Sequence, residues 1–179
     1  LTDTNVECFM RLLSLPTVDV TVKATTGETL LHRLMGTLCD NVGGTSGRES
    51  IAVPIIREVV HMGGSFIEKN NQGDTPLLIY FRDLVLSRGS VESLNVLSLP
   101  SVNVSVKYSD GDTILHMVMT KTALHRAPNI DDIIPPIASK IVEIGGSLCA
   151  VNHQGNTPLD LYAINMRPTQ VSLKCLMSL

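Results

Sequence analysis

Five histidines and four cysteines are the side chains of this chain best suited to hold a metal or to pair as nucleophile and base. Cys8, Cys39, Cys149 and Cys175 lie 31, 110 and 26 residues apart, so no Cys-x-x-Cys pair supports a zinc ribbon or a thioredoxin-like redox site. Reduced, mostly buried thiols are expected instead. No Cys, His and acid fall in a pattern that would orient a nucleophile against a base, and no ligand set recurs, so neither metal nor cofactor is expected. Gly43–Ser50 (GGTSGRES) is glycine-rich but lacks the lysine and spacing of a phosphate loop, and is read as a surface loop between helices. The stretch KTALHRAPNIDD, with Lys121, His125 and Arg126, is read as a solvated loop rather than an anion site. Asn103-Val104-Ser105 is a glycosylation sequon, which carries no meaning without a secretory signal. A non-enzymatic role is expected.

Composition narrows the function classes further. The 179 residues are 44% hydrophobic and 17% charged, enough apolar surface to offset the entropy of ordering. A net charge of −3 argues against binding a nucleic-acid backbone. No stretch approaches the roughly 18 apolar residues of a membrane span. The first residues, LTDTNVECFMRLL, carry no basic n-region or cleavage site, so an intracellular chain, cytoplasmic or nuclear, is expected. The missing initiator Met reads as a sign that the chain belongs to something longer.

Self-similarity is the dominant pattern. Residues 12–35 (LLSLPTVDVTVKATTGETLLHRLM) and 96–119 (VLSLPSVNVSVKYSDGDTILHMVM) match at 13 of 24 positions with no gap, at an offset of 84. Residues 61–80 and 143–162 match at 10 of 20 positions at an offset of 82. Within these blocks a Gly-x-Thr anchor recurs at Gly27–Thr29, Gly73–Thr75, Gly111–Thr113 and Gly155–Thr157, with spacings of 46, 38 and 44 residues. Each anchor closes an eleven-residue segment of alternating apolar and polar residues that ends in turn formers, which predicts an extended hairpin. Each is followed by a helical apolar pattern: Leu30, Leu31, Leu34 and Met35; Leu77, Leu78 and Phe81; Ile114, Leu115, Val118 and Met119; Leu159, Leu161 and Ile164. Further helical stretches precede the hairpins at Phe9–Leu15, Ile51–Val60, Val91–Leu99 and Ile133–Ile144.

This order resembles the ankyrin-repeat family, whose T-P-L-H-x-A signature is matched by TLLHRL (29–34), TPLLIY (75–80), TILHMV (113–118) and TPLDLY (157–162). The resemblance implies an all-α solenoid of stacked helix-turn-helix units with protruding hairpin fingers. It divides a single domain, 1–179, into a partial first repeat (1–26), three repeats (27–72, 73–110, 111–154) and a last one (155–179). Against the family period of about 33 residues the units are long by roughly 13, 5 and 11. The gapless hairpins put that excess between helices, at Thr37–Ser50, Ser87–Ser90 and Lys121–Asp132. The signature Ala is replaced by Leu34, Tyr80, Val118 and Tyr162, which must spread the helices or find room beside smaller atoms.

Thr29, Thr75, Thr113 and Thr157 sit where helices begin and can cap an orphan N–H, typically worth about 1 kcal/mol. Pro76 and Pro158 follow at the first helical position, where a missing N–H costs nothing. Gly27, Gly73, Gly111 and Gly155 supply a backbone conformation that other residues resist. By the resemblance, His32 and His116 bond to backbone near the turn. It also implies another protein as partner, bound on the concave face at Lys23, Thr25, Thr26, Glu28, Lys69, Asn71, Gln72, Asp74, Lys107, Ser109, Asp110, Asp112, His153, Gln154 and Asn156. Equivalent positions would lie about 10 Å apart. Lys23, Lys69 and Lys107 then form a basic row beside an acidic row of Glu28, Asp74 and Asp112, and both rows lose their charge at Val151 and Asn156. Acids also stabilise helix starts and lysines blunt exposed edges, so the rows suit structural and partner-binding roles equally. The interhelical insertions are a second candidate surface. The competing expectation is a structural or regulatory segment of a larger protein, self-associating through apolar end helices at Cys8–Leu13 and Val171–Leu179.

Overall fold

The computed structural model describes residues 3–39, 48–84, 98–99, 101–124 and 130–165. These residues are all-α: seven helices and no strand. The helices are α1 Asp3–Leu13, α2 Leu30–Cys39, α3 Arg48–His61, α4 Pro76–Asp83, α5 Ile114–Leu124, α6 Ile130–Glu143 and α7 Pro158–Asn165. None of them is long and apolar enough to cross a membrane.

The described residues divide into two compact units. In the first, α2 packs on α3 and α4, and α1 packs on α3. Leu31, Met35, Ile55, Ile56, Val59, Leu77, Tyr80 and Phe81, each 2% exposed or less, are its core. In the second unit, α5 packs on α6 and α7. Its core is Ile114, Leu115, Val118, Met119, Ile134, Ile137, Ala138, Ile141 and Tyr162. Tyr80 and Tyr162, expected to spread the helices or find room beside smaller atoms, are fully buried, and Tyr80 meets Phe81 edge-on with ring centroids 5.1 Å apart.

Two of the four helix starts are capped as expected, whereas the Thr29 and Thr113 hydroxyls meet Nδ1 of His32 and His116 instead of an orphan N–H. α4 begins at Pro76, with Thr75 in an extended conformation accepting the Leu78 N–H on its hydroxyl at 3.2 Å. α7 begins at Pro158, and Thr157 and Asp160 cap each other reciprocally: the Thr157 amide donates to Asp160 Oδ2 at 2.8 Å and the Asp160 amide to Thr157 Oγ1 at 3.2 Å.

Helix ends do not follow the sequence. Gly63-Gly64 and Gly145-Gly146, expected to open hairpins, instead close α3 and α6. The Gly64 amide donates to the Val59 carbonyl at 2.8 Å and the Gly63 amide to Val60 at 3.0 Å; Gly146 and Gly145 repeat this on Ile141 and Val142. The extended hairpins are not strands either. Each anchor segment folds on itself in two turns, the first held by Asp19, Ser65, Asn103 or Ser147 accepting the amide two residues on. A chain that turns twice in eleven residues has no stretch long enough for a ladder.

The interhelical insertions are partly helix. Thr37–Cys39 finish α2 and Arg48–Ser50 start α3, so the glycine-rich stretch expected as a loop ends inside a helix. Lys121 lies in α5 and is 8% exposed, where a solvated loop was expected. His125 and Arg126, Ser87–Ser90, most of Val91–Leu99, and Val171–Leu179 lie outside the described residues. Cys8 and Cys149 are exposed free thiols, against the expectation of burial.

Candidate interaction site

The four anchor segments end in one backbone design. In each, the amide three residues before the anchor glycine donates to the carbonyl just after it: Ala24 to Glu28 (2.8 Å), Asn70 to Asp74 (2.9 Å), Tyr108 to Asp112 (2.9 Å) and Asn152 to Asn156 (3.0 Å). The glycine amide bonds back to the same first residue, and φ at the glycine is +77°, +85°, +80° and +82° in order. At Gly27 a second requirement is added, because a Cβ would stand 2.7 Å from the Asn71 backbone nitrogen; at Gly111 it would stand 2.7 Å from that of His153.

Those close approaches are where the second loop of each unit rests on the first. In the first unit the Asn71 amide donates to the Thr26 carbonyl at 3.0 Å and the Asn71 side-chain amide to the Thr25 carbonyl at 2.9 Å. In the second unit the His153 amide donates to the Asp110 carbonyl at 3.0 Å. Lys23 Nζ reaches the Lys69 carbonyl at 3.2 Å, and Lys107 Nζ the Val151 carbonyl at 2.7 Å.

Histidine completes the joint from below. The Thr29 amide and hydroxyl lie 3.1 and 2.8 Å from His32 Nδ1, and Nε2 donates across the unit to the Asp74 carbonyl at 3.1 Å. His116 makes the same three contacts, with Thr113 at 3.0 and 2.9 Å and the Asn156 carbonyl at 3.0 Å. Both rings are buried, at 1% and 0% exposure. With each ring nitrogen engaged by a protein group, these histidines are structural joints. Among the described residues no group of three or more His, Cys, Asp and Glu could hold a metal ion.

The residues proposed for binding separate into two classes. Thr25, Thr26, Asn71 and Gln72 are exposed and brought together by the joint of the first unit; Ser109, Asp110, His153 and Gln154 are exposed and brought together in the second. Lys69 is exposed, and its ammonium has no partner among the described residues. The acids of the expected acidic row are instead turned to internal partners. Asp74 is 9% exposed and ion-paired with Arg82, which is why a surface position in sequence became an interior one. Half-buried Glu28 pairs with Arg33 at 3.4 Å, and half-buried Asp112 accepts from the Asn152 side chain at 2.7 Å. Asn156 is half-buried under the His116 bond. Lys23 pairs with Glu68 at 2.7 Å, and that lysine holds the exposed Glu68 carboxyl below its usual value.

Asn70 and Asn152 were missed. Asn70 Oδ1 accepts the Gln72 and Asp74 amides, both at 2.9 Å; Asn152 Oδ1 accepts those of Gln154 (3.0 Å) and Asn156 (2.9 Å). These side chains, 9% and 8% exposed, set the shape of the second loops. Their signal was present: an asparagine three residues before the glycine, identical at the offset of 82. Compared with known proteins, the chain matches no family model and no curated protein.

Proposed function

We propose that this chain is a non-catalytic protein-interaction module of the ankyrin-repeat type, engaging another protein through the paired loop tips and the first helix behind them. The observation that carries this is the pairing itself. In each unit a conserved-length joint of backbone and buried histidine bonds fixes four exposed polar tips side by side, with Thr25, Thr26, Asn71 and Gln72 in one and Ser109, Asp110, His153 and Gln154 in the other. A rigid display of unlike polar side chains lowers the entropy lost when a partner orders them. Nucleophile, base and metal chemistry have no part in this proposal, because the two buried histidines are committed to the joints. Partner choice then rests with the tip residues and with Lys69.

The test is a matched pair of baits: the natural chain, and one with Gln72, His153 and Gln154 changed to Arg, all three side chains being exposed. A partner that saturates the first and is lost from the second, at unchanged melting temperature, supports the proposal. Equal retention by both baits overturns it. Self-association through α1, where Leu12 is 54% exposed and Cys8 is free, is the second proposal. A mass that does not rise with concentration in light scattering refutes that one.

A further inference from the structure

Lys23 and Lys107 hold the same position in the two units, and each ammonium is tethered to a carbonyl of the second loop, Lys69 at 3.2 Å and Val151 at 2.7 Å. That contact uses one of three ammonium N–H groups. In the first unit Glu68 Oε2 sits on the same ammonium at 2.7 Å. In the second unit the position of Glu68 is Ala150, and Lys107 forms no ion pair among the described residues. We infer that Lys107 is a seat for a carboxylate from outside the chain: an Asp or Glu side chain of a partner protein, with an apolar residue beside it. This rests on the reading of the chain as a protein-interaction module, and names the chemistry its second unit selects.

The first unit is the template for the seat. There a carboxylate rests on the tethered lysine while the lysine keeps its carbonyl and Asn71 keeps its bonds to Thr25 and Thr26. The frame around Lys107 is the same: the Tyr108 amide donates to Asp112 as Ala24 does to Glu28, and the His153 amide reaches Asp110 as Asn71 reaches Thr26. Because the tether already orders Lys107, a partner does not lose entropy in fixing it. The flanks say what should accompany the acid. Where the first unit has Ile67 and Lys69 on either side of Glu68, the second has Cys149 and Val151 beside Ala150, both exposed and Val151 at 47%. A partner thus meets an uncompensated cation bordered by two uncharged side chains. An apolar partner residue laid over Val151 excludes water from the new ion pair, which strengthens an attraction that water would otherwise screen. Charge then selects: an amide in place of the acid offers the ammonium no counter-charge, and a Lys or Arg is repelled.

Panning a random peptide library displayed on phage against the full chain tests the seat, with enriched sequences then titrated as synthetic peptides. They should carry an Asp or Glu next to an apolar residue, and exchanging that acid for its amide should weaken binding at least about tenfold. Ala150→Glu removes nothing and builds into the second unit the carboxylate that closes the first, so it should weaken binding by about the same factor at an unchanged melting temperature. Lys107→Gln should match it, and decides the matter should Ala150→Glu fail to fold. Enrichment of peptides without an acid, no enrichment at all, or unchanged affinity in either folded variant would overturn the inference. Peptides lost on changing Gln72, His153 and Gln154 to Arg, yet indifferent to Ala150→Glu and Lys107→Gln, would sink the seat and leave the module reading standing.

Discussion

The two units are built from matching sequence, yet they hold their loops with different charges. In the first unit three ion pairs surround the joint: Lys23–Glu68, Arg33–Glu28 and Arg82–Asp74. The matching positions in the second are Lys107 and Ala150, Met117 and Asp112, Ile164 and Asn156, so every pair has lost a member or both. Lys107 keeps only the carbonyl contact that Lys23 also makes, here to Val151, and Asp112 accepts from Asn152 instead of an arginine. What did not change is a common backbone frame: the anchor glycines, the Thr–His contacts, the histidine reach across the unit, and the asparagine that shapes the second loop. The duplication thus separates what the fold requires from what decorates it. Exposed pairs are worth little and can be exchanged, whereas buried donors without acceptors are costly.

That comparison can be broken most forcefully in the cores. Leu31→Ala and Leu115→Ala, at 0% and 1% exposure, should each destabilise its own unit by about 3–4 kcal/mol in urea unfolding followed by probes in each unit. A markedly smaller loss in one would show that the two units do not share a packing plan. The loops come next. Gly27→Ala and Gly111→Ala meet both a positive φ and a backbone nitrogen, so each should cost more than about 2 kcal/mol. Gly73→Ala and Gly155→Ala, where a Cβ meets nothing within 4 Å, should cost about 1 kcal/mol. Equal losses at all four would remove the close approach of the loops as a cause.

Asn70→Ala and Asn152→Ala strip the acceptor from two loop amides each and should cost about 2 kcal/mol, with Asn152 the more damaging because Asp112 also loses its donor. The smallest effect sharpens the comparison instead. Arg33→Met, which gives the first unit the residue of the second, should shift stability by about 0.3 kcal/mol or less and abolish nothing but salt sensitivity. A loss above about 1 kcal/mol would mean that the first unit depends on its charges.

How much of this could be read from sequence follows the same division. Helix starts and loop tips were legible because Gly-x-Thr, Pro and His have few physical uses at such spacings, and the structure places them as expected at Thr75, Pro76, His32 and His116. Gly63-Gly64 was misread because a glycine pair serves equally to end a helix or to open a turn, and only the bonds to Val59 and Val60 distinguish the two. Strands were expected from alternation at 17–27, but alternation does not reveal that Asp19 captures the Thr21 amide and bends the chain early. Asp74 looked like a surface acid because its burial depends on Arg82, eight residues away on another element. Asn70 and Asn152 went unremarked because an asparagine beside a turn is ordinary until its neighbours' amides are seen to converge on it.

The contact between Gly27 and Asn71, and its counterpart between Gly111 and His153, also sets which parts of the chain are free to change in length. The copies differ between Cys39 and Arg48 and between Leu124 and Ile130, eight residues against five, yet the loop tips keep identical counts. A single residue added between Asn70 and Gly73 would throw the amide of residue 71 out of reach of its acceptor. Growth by insertion is channelled away from the joints.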